Sequence, residues 1–298
     1  MASRALVLGG GGPVGIAWET GLLAGLAERG TTLSNADYIL GTSAGSFVGA
    51  HLALGRPPAG MYAHQVSAAT RFDSSERASG PAPNVIALAG VFQALAKGEK
   101  PLTELRKEAG KVSLATETMT EEQFVAAMSA LNSLPETWPE NAFGCTAIDA
   151  LTGELVVWGN ESGVALNRAV TSSCAVPGVY PAITINGRRY YDGGIGTATN
   201  STLAQGYGRV LVVAVGGGTP AVMTDEMRRM RELGAARFEA ELQLLGDSGS
   251  EVAVVRPSDA ALEAFGPNLL DALRRGPAGE AGLTQGRAEA DRLAAFWK

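Results

Sequence analysis

Twice within the first fifty residues an apolar run ends on glycines and reopens as an apolar stretch of helical character. Arg4-Ala5-Leu6-Val7-Leu8 leads through Gly9-Gly10-Gly11-Gly12-Pro13-Val14-Gly15 into Ile16–Leu26, whose apolar residues recur at helical spacing. Ala36-Asp37-Tyr38-Ile39-Leu40 leads through Gly41-Thr42-Ser43-Ala44-Gly45 into Ser46–Leu54. Strand, tight turn, helix, repeated, is the opening of a layered α/β chain. The first turn leaves backbone N–H groups without intrahelical partners at the positive end of a helix dipole, which suits a phosphate or a catalytic oxyanion. The second is a Gly-x-Ser-x-Gly pentapeptide in the strand–turn–helix setting of a nucleophile elbow. Small residues at 41, 44 and 45 leave room for the strained turn that lifts a serine oxygen above a sheet. The same serine also suits a helix N-cap, so the pentapeptide alone leaves both readings open.

A nucleophilic serine needs a base, usually histidine held by a carboxylate. The chain has two histidines, His51 and His64. His51 follows Ser43 by eight residues, roughly 12 Å down the elbow helix, too far to take its proton. His64 sits in a polar stretch without catalytic surroundings. Asp192 fits better: Arg188-Arg189-Tyr190-Tyr191 reads as the end of a strand, and Gly193-Gly194 lets the backbone turn tightly against another element. Asp-Gly is also a hairpin signal. Gly10-x-Gly12-x-x-Gly15 in turn satisfies the dinucleotide-binding pattern. That pattern wants an acidic residue ending the second strand, whereas Asp37 opens it.

With Gly9–Gly15, Gly41–Gly45 and Asp192-Gly193-Gly194 in this order, the chain resembles the patatin-like phospholipases, lipid acyl hydrolases with a Ser-Asp dyad, over roughly residues 5–205. Cys145-Thr146-Ala147-Ile148-Asp149, Thr152-Gly153 and Ser172-Ser173-Cys174-Ala175-Val176-Pro177-Gly178 resemble further family segments. The resemblance implies Ser43 as nucleophile, Asp192 as base, and Gly10, Gly11 and Gly12 as donors of an oxyanion hole, to which the N–H of Ala44 is added. Gly15, Gly41, Gly45, Gly193 and Gly194 support these motifs. It implies a three-layer α/β/α patatin-like fold with a mostly parallel central sheet and a helical insertion. A lipid or ester is the implied substrate, met at a membrane surface. Two departures stand out. Val14 occupies a position where many members carry arginine, and Asn200-Ser201-Thr202 replaces a frequent Asn-x-Pro.

Composition narrows the partners. A formal charge of −6 argues against nucleic acid and against a basic membrane-docking patch. Cys145 and Cys174 lie in apolar segments and read as buried free thiols. No cofactor is expected, and no Cys/His cluster or calcium loop suggests a metal. Arg4 precedes only four apolar residues before the glycines, short for a signal peptide, and no run approaches the ~18 apolar residues of a span, so a cytoplasmic location is expected.

Strands are expected near 4–9, 36–41, 142–148, 153–158, 183–191, 209–215 and 251–255, with helices between. A hydrolase domain over 5–205 would be completed by 206–298. Residues 55–140 break the rhythm and read as a helical insertion, either a cap over the elbow or a structural subdomain. Met223, Met227 and Met230 share one helical stripe, which suits a packed face or an acyl chain. Ala290, Leu293, Ala294 and Trp297 repeat that spacing, as in a helix docked on the body. Two further classes remain beside the lipid acyl hydrolase: a dinucleotide-binding oxidoreductase and a catalytically silent lipid-binding relative.

Overall fold

The structure, a computed structural model, describes residues 3–71, 100–132, 134–216 and 224–298. In chain order its elements are β1 (Arg4–Leu8), α1 (Gly12–Glu28), β2 (Tyr38–Thr42), α2 (Ala44–Ala53), α3 (Pro58–Arg71), α4 (Leu102–Ala115), α5 (Glu121–Asn132), β3 (Phe143–Asp149), β4 (Leu155–Trp158), α6 (Leu166–Ser173), β5 (Ile183–Ile185) and β6 (Arg188–Asp192). They continue with β7 (Arg209–Val213), α7 (Asp225–Asp247), β8 (Glu251–Val255), α8 (Asp259–Phe265) and α9 (Arg275–Trp297).

The strands form one sheet in the order β5-β6-β3-β2-β1-β7-β8, with β4 paired to β3. The pairs from β3 through β2, β1 and β7 to β8 are parallel, while β4, β5 and β6 join through antiparallel pairs. The parallel strands are apolar on both faces, as a sheet covered on both sides requires. Alternation assigns each residue a layer. Leu6, Leu8, Ile39, Leu211 and Val213 face the larger core with residues of α1, α2 and α9. Ala5, Val7, Leu40, Val210 and Val212 face the other way, onto Leu245, Phe238 and Leu242 of α7. The result is a three-layer α/β/α arrangement with a mostly parallel sheet.

Helix α1 lies along α9 at close backbone approach. A Cβ at Gly21 would strike the Gly279 carbonyl, and one at Gly282 would strike the Trp18 carbonyl. Gln285 ties the pair to the sheet: its Oε1 accepts from Trp18 Nε1 at 3.2 Å and its Nε2 donates to the Arg256 carbonyl at 2.7 Å. Of the stripe expected on α9, Ala290, Leu293 and Trp297 are buried and Ala294 is half-buried.

Three expectations meet a different outcome or none. The single strand expected over 183–191 is a hairpin, β5 and β6. Asn186 and Gly187 both adopt positive φ, 51° and 76°, the requirement of a two-residue type I′ turn that Asn-Gly meets readily. The helices on either side of 72–99 belong to the body: α3 packs on α1 and α9, and α4 buries Leu105 and Ala109 in the core. Residues 72–99 lie outside the described residues, as do Met223 and the side chains of Met227 and Met230.

Candidate active site

Strand β3 brings the two halves of the site together. Cys145 pairs with Gly41 of β2 and with Trp158 of β4, so β2 and β4 occupy opposite edges of β3. Ala147 pairs with Val156 of β4 and with Asp192 of β6, so β6 lies on the same edge as β2. Because β2 runs parallel and β6 antiparallel to β3, the two meet end to end, Thr42 opposite Thr146 and Asp192 opposite Ala147. Each chain turns sharply where they meet. Ser43 and Gly193 are the first residues out.

Ser43 has φ 53° and ψ −117°, a conformation costly for a residue with a side chain, on the order of 1–3 kcal/mol. Its neighbours hold it there. The N–H donates to Ser173 Oγ at 2.9 Å, and the carbonyl accepts from Ser46 Oγ at 2.6 Å and Cys174 Sγ at 3.2 Å. A Cβ at Gly41 would collide with Ser46, and one at Gly45 with the Leu8 carbonyl, which is why the turn takes glycine on either side. The hydroxyl does not cap α2. It lies beside the Asp192 carboxyl instead, close enough to favour the ionised carboxylate.

Asp192 is 5 % exposed. Burial pushes its pKa up from 3.8 to about 6, opposed by the Ser43 hydroxyl and the Gly194 N–H, which donates to Oδ1 at 2.8 Å. A Cβ at Gly193 would strike Thr146, so glycine admits the close crossing of β3. Beneath the turn Asn200 Nδ2 donates to the Gly193 carbonyl and to Thr42 Oγ1, both at 3.1 Å, and Thr42 and Thr146 share a hydroxyl hydrogen bond of 2.9 Å. One buried amide thus clamps the serine strand to the aspartate turn. Asn200 is left-handed (φ 50°), a conformation asparagine tolerates.

The glycine loop lies against both. The Gly10 N–H donates to the Ala198 carbonyl at 2.8 Å, so Gly10 is not available as an oxyanion donor, a correction to the expected hole. The N–H groups of Gly11, Gly12 and Ala44 have no hydrogen-bond partner among the described residues. Gly12 has φ 57°, and a Cβ there would meet the Leu269 carbonyl at 2.7 Å. Gly15 packs on Val215 and Ala44. Next to the loop, Glu19 of α1 is fully buried, and burial raises its pKa well above the usual carboxylate range, against the lowering effect of the Gly9 backbone.

The remaining candidates lie elsewhere. His51 is buried on α2, its Nδ1 2.8 Å from the Phe47 carbonyl and its ring on Phe47; His64 is exposed on α3. Asp37 accepts from the Arg4 N–H at 2.6 Å at the amino ends of the strands. A five-residue strand, roughly 16 Å long, separates it from the glycine loop, so it cannot serve a ribose bound there. Cys145 and Cys174 are free thiols, the first buried and the second half-buried, and burial raises both pKa values. Among the described residues no group of three His, Cys, Asp or Glu is arranged to hold a metal, and no helix is long and apolar enough to cross a membrane.

The family model described as patatin-like phospholipase matches residues 6–203. The chain belongs to the patatin-like phospholipase family. Among solved structures it is similar to VipD from Legionella pneumophila, at 14% identity and a TM-score of 0.48, over 98% of this chain and 67% of that one. No curated protein matches. Patatin-like phospholipases are lipid acyl hydrolases as a family. In this patatin-like chain Val14 is fully buried and its N–H donates to the Leu269 carbonyl at 3.2 Å. A valine suits that site, and an arginine head would have to leave it. Serines 172 and 173 and Cys174 stood out only as a family-like segment, and Asn200 only as part of a departure from the family pattern. The contacts of Ser173 and Cys174 to Ser43, and of Asn200 to Thr42, join segments more than a hundred residues apart and carry no local signature.

Proposed function

We propose that the chain is a serine lipid acyl hydrolase that cleaves fatty acyl esters of phospholipids or related lipids through Ser43 and Asp192. The observation that carries this reading is the placement of the Ser43 hydroxyl beside a buried Asp192 carboxyl, where the strand register brings the two turns together and Ser43 is held in a strained conformation. Asp192 takes the hydroxyl proton as Ser43 Oγ attacks the ester carbonyl. The N–H groups of Gly11, Gly12 and Ala44 receive the oxyanion. The tetrahedral intermediate collapses to an acyl-enzyme as the alcohol leaves with the proton from Asp192. Water, deprotonated by Asp192, attacks the acyl-enzyme, and the fatty acid departs as Asp192 returns the proton to Ser43 Oγ.

An ordinary aspartate is a weak base for a serine hydroxyl. Desolvation strengthens it, and donors aimed at the developing negative charge supply the larger share, roughly 3–4 kcal/mol per donor removed in comparable chemistry. The dinucleotide reading finds no support in the geometry: the Gly10 N–H is occupied and Asp37 sits at the far end of the strands. The test is steady-state hydrolysis of short-chain nitrophenyl esters by Asp192→Asn. The reading expects less than about a tenth of wild-type kcat/KM with the fold intact, since loss of a working base costs orders of magnitude. Retention of wild-type activity would overturn it.

A further inference from the structure

Beside the glycine loop, the carboxyl ends of β7 and β8 open into a cavity of about 680 Å³, the size of a small-molecule pocket. Helix α7 forms its other wall. Apolar lining comes from Ala214, Val215, Phe238, Pro257 and Leu262, and charged groups come from Arg231, Arg237 and Arg256 with Glu239 and Glu241.

Both carboxylates are already committed. Glu241 is buried, and its Oε2 accepts from Thr199 Oγ1 at 2.6 Å, Ser201 Oγ at 2.9 Å and Ser201 N at 3.1 Å. Glu239 pairs with Arg256, whose guanidinium lies over the Phe238 ring at 5.1 Å. Arg237 is half-buried, has no hydrogen-bond or ion-pair partner among the described residues, and lies within electrostatic reach of Arg106, which also feels the carboxylate of Glu241. Arg106 is itself buried, with its Nε on the Ile195 carbonyl. A guanidinium partly withdrawn from water, beside a second cation, favours an anion at its fork. The apolar lining from Val215, Phe238 and Leu262 favours an alkyl chain.

We propose that this cavity binds a long-chain carboxylate, with the anionic head on Arg237 and the alkyl chain along Val215, Phe238 and Leu262. The choice of a fatty acid among anionic amphiphiles rests on the acyl-ester hydrolysis proposed above, which releases one. The site touches the catalytic region on two sides. Gly194 lines the cavity and holds Asp192, while Val215 lines it and packs on Gly11 and Gly15.

The test is isothermal titration calorimetry with laurate below its micellar concentration. Titrating Ser43→Ala protein removes turnover from the readout. Arg237→Glu and Ala235→Trp are placed separately in that background; both residues line the cavity from α7, and the tryptophan fills it without changing charge. The expected result is saturable binding at one site, weakened at least tenfold by each substitution in protein of unchanged circular dichroism. Dodecanol should bind at least tenfold more weakly than laurate, and acetate should not compete. Laurate affinity within threefold of the parent in both variants would overturn the proposal by placing the ligand elsewhere. So would equal affinity for dodecanol, or no saturable binding at all. The hydrolase reading is tested separately by esterase activity and Ser43 labelling of the wild type, so either idea fails without the other.

Discussion

Thr42 and Asp192 stand opposite consecutive residues, Thr146 and Ala147, on one edge of β3. The register of three strands, more than any loop, brings the end of the serine strand to the aspartate. Two backbone runs approach head to head, and each turns away at its last residue. The side chain that matters is displayed at the turn.

Burial of Asp192 sets a pH dependence. Its pKa of about 6 lies above the ordinary 3.8, so a base at this position is half ionised near pH 6. Esterase kcat/KM should rise with pH through that value and level off above about pH 7. A profile already flat at pH 5 would contradict the assignment. The same shift bears on stability. The folded state holds this proton more tightly than the unfolded chain, so the contribution of this group to stability is greatest at low pH and is lost as pH rises between about 4 and 6. Keeping the charge buried above that window costs about 3 kcal/mol. Asp192→Asn should therefore melt above wild type at pH 8, with a smaller gain at pH 4.5, as measured by calorimetry.

Asn200 is a positioning residue in this account. Asn200→Ala leaves the Gly193 carbonyl and the Thr42 hydroxyl short of a buried donor, a loss of about 1–3 kcal/mol in stability. The Asp192 turn is then free to shift, and a displacement near 1 Å commonly costs roughly 100-fold in rate. The expected outcome is a fall in kcat with KM little changed, and the pH midpoint moved with it. A variant that loses stability but keeps kcat and its pH profile would assign Asn200 to structure alone.

The α1–α9 contact makes a separate forecast. Gly282→Val drives a side chain into the Trp18 carbonyl, and overpacking of this kind costs about 1–3 kcal/mol or more. In a chain of this size that lowers Tm by roughly 3–10 °C. Gly60→Ala on α3, where an added Cβ meets nothing within 4 Å, should leave Tm unchanged or slightly higher. Equal behaviour of the two variants would refute the close packing.

What could be read from the sequence was local. The glycine loop, the elbow and the Asp-Gly-Gly turn each pack their meaning into a few neighbouring residues, and the layered fold follows from apolar strands alternating with helices. The Asn186-Gly187 hairpin was equally local, but Ile183-Thr184-Ile185 before it and Tyr190-Tyr191 after it both have strand character and masked it as one strand. The Asn200 clamp, the Ser173 support of the Ser43 N–H and the Gly10 bond to Ala198 join segments more than a hundred residues apart or depend on a loop's path. No spacing encodes them. The buried Val14 could not be told from an exposed one, because a helix start offers no periodicity.

Histidine distinguishes dyad from triad. His51 contacts its own helix and His64 is exposed. His51→Gln and His64→Gln, singly and together, should keep kcat/KM within about tenfold, or ~1.4 kcal/mol, at a temperature where each is folded. A thousandfold loss in the folded double variant would point to a histidine base.

The most direct measurement is intact and peptide mass spectrometry after treatment with a fluorophosphonate, which reacts with an activated serine. The predicted result is a single adduct on Ser43 of the wild type, much slower in Asp192→Asn and absent in Ser43→Ala. Stoichiometric labelling of another residue, or equal labelling rates with and without Asp192, would contradict the Ser43–Asp192 account.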